Sequence, residues 1–83
     1  MIGDSVILYK YQMFAERLNN PDIGNYTAFG IAVYRSVDNN PKKLMNISDI
    51  STEKKLVEDL CELCNREQLE PVHVFDVIED SIL

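Results

Sequence analysis

The segment that decides the fold is YTAFGIAVYRSV, residues 26–37. It is rich in β-branched and aromatic residues, which favour extended strands. Because successive side chains of a strand point to opposite faces, the segment has two rows of side chains. One row holds Phe29, Ile31, Val33 and Val37, and the other holds Tyr26, Ala28, Gly30, Ala32 and Tyr34. The pattern predicts a strand with apolar groups on both faces of a sheet.

The flanking segments predict the rest of that sheet. Residues 5–18, SVILYKYQMFAERL, have strand composition, and NNPDIGN at 19–25 predicts a loop because Asn, Pro, Asp and Gly favour turns. DNNPK at 38–42 predicts a second turn, and KLMNISDI at 43–50 predicts a shorter third strand. Short connections between neighbouring strands favour an antiparallel β-meander.

The second half of the chain has helical spacing. Ser51 or Thr52 is expected to cap a first helix that ends near Asn65 or Arg66, with Glu53 in its first turn. Its buried stripe is predicted to be Leu56, Val57, Leu60, Leu63 and Cys64. Pro71 suits the first turn of a second helix, whose buried stripe is predicted to be Val74, Phe75, Ile78 and Ile82. We therefore predict one α+β domain over residues 1–83: a three-stranded antiparallel sheet followed by two α-helices packed on one face.

Charge limits the partners that the chain can have. Fourteen acidic and eight basic residues give a formal net charge of −6, and no lysine or arginine follows Arg66. Binding to nucleic acids and to anionic membranes depends on basic groups, so we expect neither. The first residues lack the features of a signal peptide, and no apolar run approaches the roughly 18 residues of a membrane span. We expect a cytoplasmic protein with reduced thiols.

The stretch CELCNREQLEPVH, residues 61–73, holds both cysteines and the only histidine. Helical spacing places Cys64 in the middle of the buried stripe and Cys61 on its flank, which predicts that both pack in the core. A redox Cys-x-x-Cys pair normally opens a helix, and a structural zinc site usually takes four ligands. A dimer could still assemble four thiolates, so the alternative is a small metal-binding protein that uses Cys61, Cys64 and His73.

The end of the chain supplies a candidate interaction face. His73 and Asp76 are three residues apart and within reach of each other on a helix. Glu79 and Asp80 fall in the last helical turn, where the helix dipole opposes negative charge, and such a conflict can mark a binding surface. A solvated acidic surface is the alternative. The sequence has no nucleophile motif, calcium loop or Gly-rich phosphate loop, so we expect neither an enzyme nor a cofactor.

A resemblance covers nearly the whole chain. YTAFGIAVY, ISDIS, LVEDLCELCN and LEPVHVFDVIEDSI resemble a small family of uncharacterised proteins from Gram-positive anaerobic bacteria, known as a domain of unknown function. The strongest match comprises Leu69, Pro71, His73, Asp76, Val77, Ile78, Glu79 and Asp80. The resemblance implies a shared fold and a cytosolic bacterial source, and it implies no activity.

These observations favour a non-enzymatic protein-interaction or regulatory module. Its protein partner is not indicated by the sequence. Apolar groups on both sheet faces, including Tyr26 and Tyr34, together with unpaired strand edges, also predict a homodimer formed by face or edge contact.

Overall fold

The computed structural model of the chain describes residues 6–82 and has the predicted α+β architecture. Three antiparallel strands form one sheet in the order β1-β2-β3, and two helices follow. The predicted first strand includes Ser5, which lies outside the described residues, as do the two ends of the predicted domain 1–83. The elements are β1 Ile7–Asn20, β2 Gly24–Val37, β3 Asn40–Ser51, α1 Lys54–Glu67, a 3-10 turn Pro71–His73 and α2 Val74–Ile82.

Both turns of the meander are shorter than predicted. Asp38 and Asn39 have φ angles of 51° and 68°, which is the left-handed geometry of a two-residue hairpin turn. β3 therefore begins at Asn40, and Pro41 lies inside it, which an edge strand tolerates because it pairs on one side only. The first loop likewise shrinks to residues 21–23, after which Gly24 takes a φ of 84°. Asn and Pro are thus accommodated within regular strands.

The first hairpin extends past the third strand. β1 and β2 stay paired out to Asn20 and Gly24, whereas β3 pairs with β2 only between Phe29 and Val37. Residues 16–28 therefore form a two-stranded ribbon, with Ile23 exposed at its tip. The chain is elongated as a result, with principal dimensions of 58 × 23 × 18 Å.

The core lies between the sheet and the two helices. α1 contacts all three strands, and α2 joins the core through Val74 and Ile78. The buried cluster consists of Tyr11, Ile31, Val33, Val57, Leu60, Cys61, Cys64, Val74 and Ile78. Both cysteines are therefore core residues, as predicted.

The buried stripe of α2 differs from the prediction. Phe75 and Ile82 are 55% and 46% exposed, and Val77 packs against the core instead. Two overlapping apolar stripes are possible on α2, one that includes Phe75 and one that includes Val77. They differ by roughly 60° of rotation about the helix axis. Val77 lies beside Leu63, Cys64 and Leu69, so the packing of α2 on the end of α1 selects its stripe.

The start of α1 also differs from the prediction. The N-cap is Glu53, whose side chain makes no capping hydrogen bond, and the first turn has no acidic residue. Ser51 is still paired with Phe29 in the sheet, so the helix cannot begin there. The Ser51 hydroxyl accepts the backbone N–H of Glu53 at 3.0 Å, which makes a turn between strand and helix. α1 ends at Glu67, one residue beyond the predicted Arg66, and Leu63 is partly exposed.

Candidate functional site

The outer surface of the C-terminal segment carries the predicted interaction residues. His73, Asp76, Glu79 and Asp80 are all exposed. In the part of the chain that the structure describes, their side chains make no hydrogen bond, so His73 and Asp76 are not joined as a pair. Among residues 6–82, the ion pairs are Lys55–Asp59 and Arg66–Glu67, which leaves the carboxylates of α2 without an intramolecular cation. The four predicted residues are therefore exposed to solvent and form no ion pair within the described part of the chain.

Apolar side chains lie among these carboxylates. Val72 is 75% exposed, Phe75 is 55% exposed and Ile82 is 46% exposed. Phe75, Glu79 and Ile82 follow one another at intervals of four and three residues, which places them on one line along α2. We call Val72, His73, Phe75, Asp76, Glu79, Asp80 and Ile82 the α2 outer face. The apolar part of this face was not predicted from the sequence, because helical spacing places Phe75 and Ile82 in the core stripe.

The thiols have no exposed, reactive geometry. Cys61 and Cys64 are 7% and 1% exposed, and both are free. Burial, followed by the nearby Cys64 and Glu58, raises the pKa of Cys61 to about 11, and burial also raises the pKa of Cys64. Within residues 6–82, no three His, Cys, Asp or Glu side chains are grouped so that they could hold a metal ion. The structure therefore gives no support to a metal site formed by Cys61, Cys64 and His73.

We expect both thiols to react slowly in the native protein. Because the pKa of Cys61 is about 11 instead of the ordinary 9.0, its thiolate fraction at pH 8 is about a hundredfold lower, and limited access slows the reaction further. Labelling with a thiol reagent, followed by mass spectrometry, measures the rate. The protein unfolded in urea is the control, and both of its cysteines should label at the rate of a free thiol. Rapid labelling of both cysteines in the folded protein would contradict their burial.

Two amide side chains at the end of α1 bind the edge of β1. The backbone N–H of Tyr11 donates to Asn65 Oδ1 at 2.7 Å, and Asn65 Nδ2 donates to the Tyr11 carbonyl at 2.8 Å. Gln68 makes the same two bonds with Tyr9, each at 2.9 Å. Each side chain thus satisfies one donor and one acceptor, as a neighbouring strand would. α1 therefore closes this part of the sheet edge.

The backbone at the end of α1 positions these amides. Gln68 has a left-handed φ of 49°, and its N–H bonds to the Asn65 carbonyl, while the N–H of Leu69 bonds to the Cys64 carbonyl at 3.0 Å. This helix termination turns the Gln68 side chain back toward β1. The Tyr11 hydroxyl then donates to the Leu69 carbonyl at 2.5 Å, and burial, with smaller contributions from Cys64 and Tyr9, raises the pKa of Tyr11 to about 12. No local sequence pattern indicates these contacts, since the partners are more than fifty residues apart.

The aromatic groups on the helix-free face of the sheet are engaged within the chain. The Tyr26 hydroxyl donates to Asp49 Oδ2 at 2.9 Å, and this bond raises the pKa of Tyr26. The Lys43 ammonium lies 6.0 Å from the centroid of the Tyr34 ring. Phe14 lies against Gly30 in the centre of the face. These rings are half-buried, so the face offers less free aromatic surface than the sequence suggests.

Comparison with known proteins identifies one family. A family described as a family of unknown function (DUF6514) matches residues 3–83, nearly the whole chain. No curated protein and no solved structure matches the chain. No helix among residues 6–82 is long and apolar enough to cross a membrane.

Proposed function

The chain belongs to this family of unknown function, DUF6514, and we propose that it is a non-enzymatic protein-interaction module. Its binding surface is the α2 outer face, and its partner is a protein segment that presents basic side chains around an apolar surface that receives Phe75. The proposal includes a cytoplasmic location in a Gram-positive anaerobic bacterium, which the sequence resemblance supports.

The observation that carries the proposal is the exposure of Val72, Phe75 and Ile82 on a segment that also exposes three carboxylates. Single exposed apolar residues are common, but an aromatic side chain within a row of exposed apolar groups is typical of interaction sites. Aromatic residues also contribute a large share of the binding free energy at protein interfaces. Phe75 is therefore the expected anchor of the complex.

Charge favours a basic partner. Asp76 and Asp80 lie beside the apolar row and Glu79 lies within it, and within residues 6–82 none of the three forms an ion pair with a basic side chain. Complementary charge around an apolar centre accelerates association and rejects acidic competitors. The formal net charge of −6 favours the same partner at longer range.

The titratable groups with the largest shifts support a role other than catalysis. Catalytic acids and bases generally have pKa values close to the working pH. In contrast, burial raises the pKa of Tyr11 to about 12 and the pKa of Cys61 to about 11, both far from neutrality. This arrangement is typical of core packing.

Neutralising the end of α2 tests the charge contribution. Glu79→Gln combined with Asp80→Asn should raise the free energy of unfolding by a few tenths of a kcal/mol, because it removes negative charge from the C-terminal turn. When the folded variant is used to capture proteins from an extract of the native host, it should not retain the proteins that the wild type retains. The difference should be clearest at low salt. Thermal unfolding and quantitative mass spectrometry measure the two effects.

Two further variants complete that experiment. Phe75→Ser should abolish the same interactions at every salt concentration, since it removes the anchor itself. Leu44→Ser is the matched control, because Leu44 is an exposed apolar residue of β3, 42% accessible, outside the α2 outer face. If all variants retained the same proteins, the acidic end of α2 would serve solubility alone.

A further inference from the structure

The edge of β1 is closed over only part of its length. Asn65 and Gln68 hydrogen-bond to the outward-facing backbone groups of Tyr11 and Tyr9, respectively. Outward-facing groups recur at every second residue of an antiparallel strand, and β1 pairs with β2 without a register shift. Met13, Ala15, Arg17 and Asn19 therefore also direct their N–H and C=O groups away from β2. No group within residues 6–82 hydrogen-bonds to them there.

The other edge of the sheet carries features that prevent strand pairing. β3 contains Pro41, which has no N–H, followed by Lys42 and Lys43. Two register shifts interrupt its pairing with β2, and one of them includes Asp49 in left-handed geometry. Prolines, lysines and bulges are the usual means by which natural sheets block edge-to-edge contact. The free part of β1 has none of these in its centre, where Ala15 is exposed.

We propose that a second copy of this chain pairs with residues 13–17 of β1, antiparallel and around a twofold axis at Ala15. The two three-stranded sheets then form one continuous six-stranded sheet with all four helices on the same face. This assembly does not use the α2 outer face and does not depend on the proposed function.

Like charges select the register of this pairing. Three twofold arrangements, centred on Ala15, Glu16 or Arg17, bring several outward-facing backbone N–H and C=O groups of the two copies into hydrogen-bonding positions. Centring on Glu16 places two carboxylates directly opposite each other, and centring on Arg17 does the same with two guanidinium groups, which destabilises both. With Ala15 at the axis, Arg17 faces Met13 of the second copy and Glu16 faces Phe14 of the second copy. This register alone has no opposed like charges.

The closed part of the edge explains why a second copy fits. Beyond residue 17 the next outward-facing residue is Asn19, which would lie opposite Tyr11 of the second copy. The outward backbone groups of that Tyr11 are already hydrogen-bonded to Asn65 of its own chain. Pairing therefore stops at the same position in both chains, as a twofold axis requires. The small Ala15 side chains at the axis allow close approach, and the half-buried Met13 and Phe14 pack against the methylene groups of Arg17 and Glu16 of the second copy, on opposite faces.

Cysteine substitution tests the register in the full chain. Opposed Cα atoms in a hydrogen-bonded antiparallel pair are about 5.5 Å apart, a separation that a disulfide can span. With diamide as the oxidant, Ala15→Cys should give a covalent dimer in high yield, whereas Glu16→Cys and Arg17→Cys should give little. Wild-type protein is the control, since its own thiols are buried. A maximum at position 16 or 17, or no crosslink at any of the three, would overturn the proposal.

Sedimentation of uncrosslinked protein gives an independent test. The wild type should have the mass of a dimer at micromolar concentration, and the Ala15→Pro variant should have the mass of a monomer. The Ala15 N–H points away from β2, so proline there removes no hydrogen bond of the β1–β2 ladder, and circular dichroism should stay unchanged. Tyr34→Glu, on the helix-free face, should leave the dimer intact. A monomeric wild type, or a dimer lost through Tyr34→Glu alone, would contradict pairing at the β1 edge.

Discussion

Gly30→Ala is expected to lower the free energy of unfolding by about 3 kcal/mol, at the upper end of the cost of overpacking. A Cβ atom at Gly30 would overlap the backbone carbonyl oxygen of Ile47 and would lie 2.6 Å from Phe14 Cζ. The Ile47 carbonyl belongs to the strand backbone beside a register shift, so it cannot move without disturbing the β2–β3 pairing. Urea denaturation of the wild type and the variant measures the difference.

Gly24→Ala is the matched control for this prediction. Gly24 has a φ of 84°, but nothing lies within 4 Å of the position that its Cβ would occupy. Its replacement should cost only about 1 kcal/mol, from backbone conformation alone. Adding Phe14→Leu to Gly30→Ala should recover little stability, because the overlap with Ile47 remains. Equal costs for Gly24→Ala and Gly30→Ala would show that close approach in the sheet centre is unimportant.

Asn65→Ala is expected to destabilise the fold by a similar amount, about 3 kcal/mol. The change removes both hydrogen bonds to Tyr11 and leaves a partly buried N–H and C=O without partners. Since domains of this kind are stable by only about 5–15 kcal/mol, the loss should be visible as a markedly lower unfolding midpoint. The newly opened edge should also exchange its amide hydrogens faster, first at Tyr11.

Two variants separate the contributions to this effect. Gln68→Ala should cost about 1 kcal/mol, because its bonds to Tyr9 are exposed to solvent and water can replace them. Asn65→Asp keeps the acceptor for the Tyr11 N–H but sets a carboxylate oxygen against the Tyr11 carbonyl, so it should destabilise the protein as well. An Asn65→Ala variant as stable as the wild type would contradict the role of the amide in closing the edge.

The order and type of the elements follow from local patterns. The spacing of apolar residues indicates which side of each element is buried. Apolar residues alternate in 26–37 and recur at helical spacing from Leu56 onward. The strand ends were less predictable, because Asn and Pro favour turns but are also tolerated at strand edges. At residues 38–42 the two-residue turn uses only Asp38 and Asn39, and the rest continues as β3.

On the proposed α2 outer face, the exposure of the acidic residues follows from the sequence, and the exposure of the apolar residues does not. Asp76, Glu79 and Asp80 are exposed, as helical spacing indicates, and His73 in the 3-10 turn is exposed as well. The exposure of Phe75 depends on how α2 rotates against α1, and the sequence permits two rotations. The closure of β1 by Asn65 depends on contacts between residues distant in the chain, which only the folded structure brings together.

Photo-crosslinking from position 75 tests the proposed function most directly. A benzophenone amino acid in place of Phe75 should give one discrete adduct with a basic protein in the native host. The same residue at Leu44 should not give that adduct, and Glu79→Gln with Asp80→Asn should remove it. Absence of an adduct from position 75, or the same adducts from positions 75 and 44, would contradict recognition through the α2 outer face.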